Sequence, residues 1–237
     1  MLEGLILFVA AFVHGLAGFA FALLAVPLLS LLHPFREIVP LIALFGATMN
    51  AVMLWLLRKS FQLRRVAGLV LGAIPGIFLG ARALGTLPEK PLRILLFVVI
   101  SLYCAWEVFS SRAASWRISP RWGPLFGLMA GFLGGLLMAP GPPVVVYVSL
   151  LRVGKDELKS ALQGAFLTMV LFMILAHGLY GLLTRETFKA YLCYLPVVLT
   201  GMGLGQALYL RLGDRSYYRL VHLFLFFSAL ASFLKIF

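Results

Sequence analysis

Eight apolar runs, cut apart by short clusters of charge, dominate this chain: residues 4–32, 38–57, 66–84, 92–110, 123–151, 160–183, 189–211 and 217–237. Most approach the ~20 residues that an α-helix needs to cross hydrocarbon. Only 12% of the 237 residues are charged and 62% are hydrophobic, against the ~25% charged residues of a soluble domain. With a mean hydropathy of +1.04, the solvent of this surface is a bilayer. Lipid offers no partner to free backbone groups, and the runs lack the alternating decamers of a membrane barrel, so the expected fold is an all-α polytopic membrane protein. The net charge of +12 sits between apolar segments, where it serves membrane orientation and anionic lipid headgroups. Nucleic acid is not an expected partner. Cys104 and Cys193 lie in apolar stretches without a CxxC or a His-rich tract, which predicts structural roles, with no disulfide, no metal and no cofactor. The start, Met1-Leu2-Glu3-Gly4, lacks the basic region of a cleavable signal peptide, so the first run is expected to be retained.

Prolines divide the runs into two kinds. Pro34, Pro40, Pro88, Pro91, Pro120 and Pro124 flank segments, whereas Pro27, Pro75, Pro140, Pro142, Pro143 and Pro196 lie inside them and mark breaks or kinks. Segments one and five are 29 residues long, with glycine- or proline-rich centres, HGLAGFAFALLAVP (14–27) and GGLLMAPGPPVVV (134–146). PGIFLGARAL (75–84) aligns with TGMGLGQALY (200–209), placing Gly76 on Gly201, Leu79 on Leu204 and Gly80 on Gly205. The pattern predicts a duplicated four-segment unit, with repeats over 1–118 and 119–237 and an offset of roughly 121 to 126 residues. If all eight segments cross, ten Lys and Arg fall on each face. If segments one and five return as hairpins, the faces carry thirteen and seven, a clear positive-inside bias that also inverts the two halves. Letting only segment five return gives the same thirteen to seven.

A break at bilayer depth frees backbone groups, which is tolerated only inside protein or beside a watery cavity. Half-helix N-termini carry partial positive charge and free N–H groups, so two of them facing each other form a receptor for a small anion. The candidate binding residues are therefore those of the breaks: Gly15, Gly18, Phe19 and Ala20 in the first, Ala139, Gly141 and Pro142 in the second. In this reading the glycines let backbone approach the ligand, and Pro142 and Pro143 fix the start of the second half-helix. For Gly76, Gly80, Gly201 and Gly205 the bland alternative is the better one, close helix packing. Polar residues inside apolar runs add His14, Asn50, Gln163, His177 and Gln206 to the candidates, with Thr48 and Thr168 beside them. His14 either bonds an oxyanion, exchanges a proton or simply packs. For the others, helix–helix hydrogen bonding is the alternative. Arg82 reads as snorkelling to the headgroups and Glu107 as interfacial.

VHGLAGFAFALLAVPLL, GLMAGFLGGLLMAPGPPVVVYV and the PGIFLGARAL/TGMGLGQALY pair, in this order and spacing, resemble the TauE/SafE (TSUP) family of sulfite, sulfonate and related organosulfur-anion transporters, over nearly the whole chain. Here Ala20 interrupts GFAF, Met138-Ala139-Pro140 precede Gly141, and His14 stands where a Gln or another polar residue is usual. The resemblance implies a multi-pass protein of the bacterial inner membrane that moves a small sulfur-containing oxyanion by alternating access. No GxxxxGK[ST] offers ATP, which leaves a coupled proton or the membrane potential as the drive. The two alternatives are a passive anion channel built on the same dipoles and an intramembrane enzyme. Four scattered histidines and no HExxH weigh against the enzyme. Transport direction, coupling ion and self-association into a homo-oligomer stay open at this level.

Overall fold

The computed structural model describes residues 1–18, 20–57, 67–110, 118–150 and 155–209. Segment eight, Phe19 and the Glu107 side chain lie outside the described residues. Helices account for nearly all that is described, and no strand occurs there: α1 (Leu2–Ala17), α2 (Phe21–Leu29), α3 (Phe35–Leu57), α4 (Ala67–Thr86), α5 (Glu89–Ser110), α6 (Gly123–Leu137), α7 (Gly141–Leu150), α8 (Lys155–Leu179) and α9 (Arg185–Tyr209), with one 3₁₀ turn at Pro120–Trp122. Within α3, α4, α8 and α9 lie stretches long and apolar enough to cross a membrane.

Segments one and five are each split in two. Gly18, at φ 83°, ends α1 in the left-handed region, and its N–H donates to the His14 carbonyl at 2.6 Å. Met138, at φ 57°, ends α6 in the same conformation, donating to the Gly134 carbonyl at 2.9 Å. The half-helices are short: nine residues of α2 extend ~14 Å at 1.5 Å per residue, well under a bilayer core.

Each broken segment begins and ends on the same side. For the first, Glu3 Oε1 and His33 Nε2 meet at 2.8 Å, and the Tyr194 hydroxyl donates to Glu3 Oε2 at 2.8 Å. Arg93 donates to the Ser30 carbonyl at 2.8 Å, just beyond the negative end of the α2 dipole, and to Glu89 Oε2 at 3.2 Å. For the second, the Ile118 N–H donates to the Leu150 carbonyl at 3.4 Å and the Tyr147 hydroxyl to the Pro120 carbonyl at 3.2 Å. Helix α4 connects these two ends: Gly68 lies beside Pro124, while the Leu84 carbonyl near its other end accepts from Arg36. The mouths of the two hairpins therefore lie at opposite ends of the bundle.

The first half-helices are held by glycine stripes. α4 packs along α6 and α9 along α1, the two most extensive helix pairs. A Cβ on Gly131 would strike the Ala73 carbonyl, and one on Gly205 the Phe12 carbonyl, so the backbones approach to a distance that only glycine permits. Gly76 and Gly80 are closed against backbone in the same way, Gly201 less tightly against the Phe8 carbonyl and the Ala11 and Phe8 side chains, and the packing reading of these glycines holds. Across the middle, α3 packs on α8, and these two also contact α9 and α4 respectively.

Candidate functional site

Between the tips of the two hairpins lies a cavity of about 40 Å³, room for about three waters. The first hairpin contributes His14 from the end of α1 and Phe21, Ala22 and Leu23 from the first turn of α2. The second contributes Met138, Pro140 and Gly141. Helix α3 adds Ile42, Gly46 and Asn50, and α8 adds Phe166, Val170 and Met173.

The N-terminus of α2 is the chemically distinctive part. Its N-cap residue is Ala20, fully buried, and no side chain caps this helix end. The first N–H groups of a helix have no intrahelical acceptor, and at a buried end they call for a partner of another kind. Here the first turn opens onto the cavity with the dipole's positive pole toward it. The start of α7 differs, because Pro142 and Pro143 carry no N–H and Val144 already donates to the Pro140 carbonyl at 3.3 Å. Gly141 alone in that turn can point a peptide donor into the cavity. The two prolines fix the helix start, as expected, and they also remove two of its donors.

Two polar side chains stand on the first-half wall. His14 is 3% exposed and lies edge-on to Phe21, with ring centroids 6.4 Å apart and planes at 88°. Asn50 is 6% exposed, and its Oδ1 is buried without a hydrogen-bond partner. A half-turn of the amide about its terminal torsion presents the NH₂ group to the cavity instead. The facing wall of Met138, Phe166, Val170 and Met173 is apolar. Among the described residues no group of three or more His, Cys, Asp or Glu could hold a metal.

A family model described as Sulfite exporter TauE/SafE matches residues 4–232 of the chain. The chain belongs to the TauE/SafE family. No curated protein and no solved structure matches it. With its apolar helices, membership of this transporter family makes the chain an integral membrane protein.

Of the residues singled out from the sequence, this TauE/SafE chain gathers His14, Asn50 and Gly141 on the cavity. Gly18 and Ala20 form the buried first break, and Ala139 and Pro142 the buried second one. Phe19 lies outside the described residues. The other four sit in helix interfaces. Gly15 is closed against the Met202 carbonyl and the Gln206 backbone. Gln206, partly buried, rides on that α1–α9 contact. Gln163, 1% exposed, donates through Nε2 to the Gly18 carbonyl and so ties α8 to the end of α1. His177 is fully buried away from the cavity, with Nε2 at 2.8 Å from the Gly135 carbonyl. Thr48 shares a 2.6 Å hydrogen bond with Tyr191 between α3 and α9, Thr168 bonds back to the Gly164 carbonyl, and Arg82 is exposed near the end of α4.

Sequence reasoning missed Phe21, Gly46, Met138, Phe166, Val170 and Met173. Most are apolar residues in apolar helices, where composition does not separate lipid-facing from cavity-facing positions. Met138 carried a usable signal, since a proline two residues on is common after a helix C-terminus in the left-handed conformation.

A second, larger recess of about 390 Å³ opens at the mouth of the first hairpin, lined by Glu3, His33, Glu37, Glu186 and Tyr194. Its apolar floor includes Leu7, Leu29, Ile38 and Leu41. On α3, Leu41 in this recess directly precedes Ile42 in the central cavity.

Proposed function

We propose that this TauE/SafE protein is a secondary carrier of a small sulfur oxyanion, sulfite or a compact sulfonate, which binds between the two hairpin tips and crosses by alternating access. The observation that carries the reading is the buried N-terminus of α2, which has no side-chain cap and opens onto a cavity sized for a compact solute. Peptide donors and the dipole's positive pole favour an anion there, and His14 and the Asn50 amide supply side-chain hydrogen bonds on the same wall. The apolar remainder lowers the local dielectric and strengthens these interactions.

In the same proposal the two hairpins are re-entrant and belong to an inverted duplication, with units over 1–118 and 119–237. The duplication is supported by positions 18 and 138 ending their half-helices alike, and by α4–α6 pairing as α1 and α9 do. The loops at the second hairpin's mouth are the richer in Lys and Arg, and the positive-inside rule assigns them to the cytoplasm of a bacterial inner membrane. Transport is driven by a coupled proton or by the membrane potential.

Uptake by proteoliposomes of the full chain tests the reading. His14→Ala and Gly141→Leu are expected to insert normally yet lower sulfite uptake about tenfold or more, the first by loss of a charge-assisted hydrogen bond, the second by placing a bulky side chain at the cavity wall. Unchanged uptake in both variants would remove the site. Counterflow separates carrier from channel, since stimulation by anion on the far side requires a carrier.

A further inference from the structure

The cavity's apolar wall contains the one non-glycine residue with positive φ among the described residues, Met138. Its counterpart at the end of the first half-helix is Gly18, which takes the same conformation without a side chain. Glycine at 138 would relieve the backbone, so a side chain held there at a conformational disadvantage points to a use for that side chain. Met138 is 5% exposed and lines the cavity. Its Cε lies over Gly46 of α3, where an added Cβ would come within 3.4 Å of it and within 3.7 Å of Val170 Cγ2. The thioether therefore fills the gap between the second hairpin and α3, one helical turn from Asn50. Gly46 leaves open the remaining space, which the cavity uses.

We propose that Met138, seated over Gly46, sets the size limit of the central cavity and restricts it to compact oxyanions without an extended organic tail. This rests on the anion reading of the cavity. It adds that discrimination is set where a side chain of the second half meets α3 of the first, while charge recognition comes from the first half. A flexible thioether suits the task, because it closes on a small solute without a fixed shape.

The test is a set of dissociation constants for the purified full chain, from thermal-shift titrations with sulfite, methanesulfonate, ethanesulfonate and propanesulfonate. Each added methylene is expected to weaken binding to the unmodified protein about tenfold, the scale on which apolar pockets sense one methylene. Met138→Gly, which suits the left-handed backbone, is expected to raise the propanesulfonate-to-sulfite affinity ratio at least about tenfold. Gly46→Ala, whose methyl fits without displacing backbone, is expected to lower the ratio. A ratio unchanged in both variants, with sulfite still bound by the unmodified protein, would overturn the size limit and leave the anion site standing. Absence of any anion-induced shift in the unmodified protein would overturn both. A ratio that moves in opposite directions in the two variants supports the proposal.

Discussion

The two broken segments share a shape and differ in chemistry. Each ends its first half-helix in a left-handed residue, Gly18 or Met138, and restarts three residues later, at Phe21 or Gly141. Each first half-helix leans on a glycine stripe. At the tips the likeness stops. The first presents a turn with no proline among its first three residues and a histidine beside it, and the second presents two prolines and a methionine. Position 50 is Asn and position 170, which faces the cavity from α8, is Val. Shape here is a property of backbone punctuation, and affinity a property of which donors survive it. A fold can keep the first symmetrical and let the second diverge.

The comparison can be broken outright by topology. Single cysteines replacing Thr184 and Ser119, at the mouths of the first and second hairpins, are expected to label with an impermeant maleimide from opposite sides of the membrane. Labelling from one side only would end the inverted arrangement. The glycine stripes come next in size. Gly131→Val and Gly205→Val are each expected to cost about 3 kcal/mol or more of stability, because the new atoms meet backbone that cannot yield. Gly203→Ala, with nothing within 4 Å, is expected to leave the melting temperature unchanged. Tolerance at one stripe alone would show that the hairpins are not equally supported.

Smaller effects sharpen the chemical contrast. Gln163→Leu strips the Gly18 carbonyl of its side-chain donor, and His177→Leu does the same to the Gly135 carbonyl. Each is expected to lower stability by about 2 kcal/mol, read from thermal unfolding in detergent. Asn50→Val makes position 50 resemble position 170 and is expected to weaken sulfite binding about fivefold, the scale of one neutral hydrogen bond. Pro142→Ala returns one peptide donor to α7 and is expected to tighten binding about threefold, in keeping with dipole and donor effects of about 0.6 kcal/mol. No gain there would mean that the second tip does not contact the anion.

Both breaks were legible from the sequence, because glycine and proline act locally and leave their mark wherever they occur. The role of the glycine stripes in close packing was legible too, from i, i+4 spacing alone. The assignment of polar residues was harder. Gln163 and His177 satisfy the carbonyls of Gly18 and Gly135, and a buried amide or imidazole looks the same in sequence whether it meets a ligand or a peptide oxygen. The cavity's apolar wall was illegible for a related reason. In a helix bathed in lipid, inward and outward faces are both hydrophobic, so periodicity loses the contrast on which it depends. Gly15 shows the limit at closest range: one residue after His14, it faces the α9 backbone while the histidine faces the cavity.

The mouth of the first hairpin gathers Glu3, Glu37 and Glu186 around a wide opening, with His33 paired to Glu3 among them. Carboxylates at a doorway repel a passing anion whichever way it moves, so they slow entry and departure alike and set a rate, not a direction.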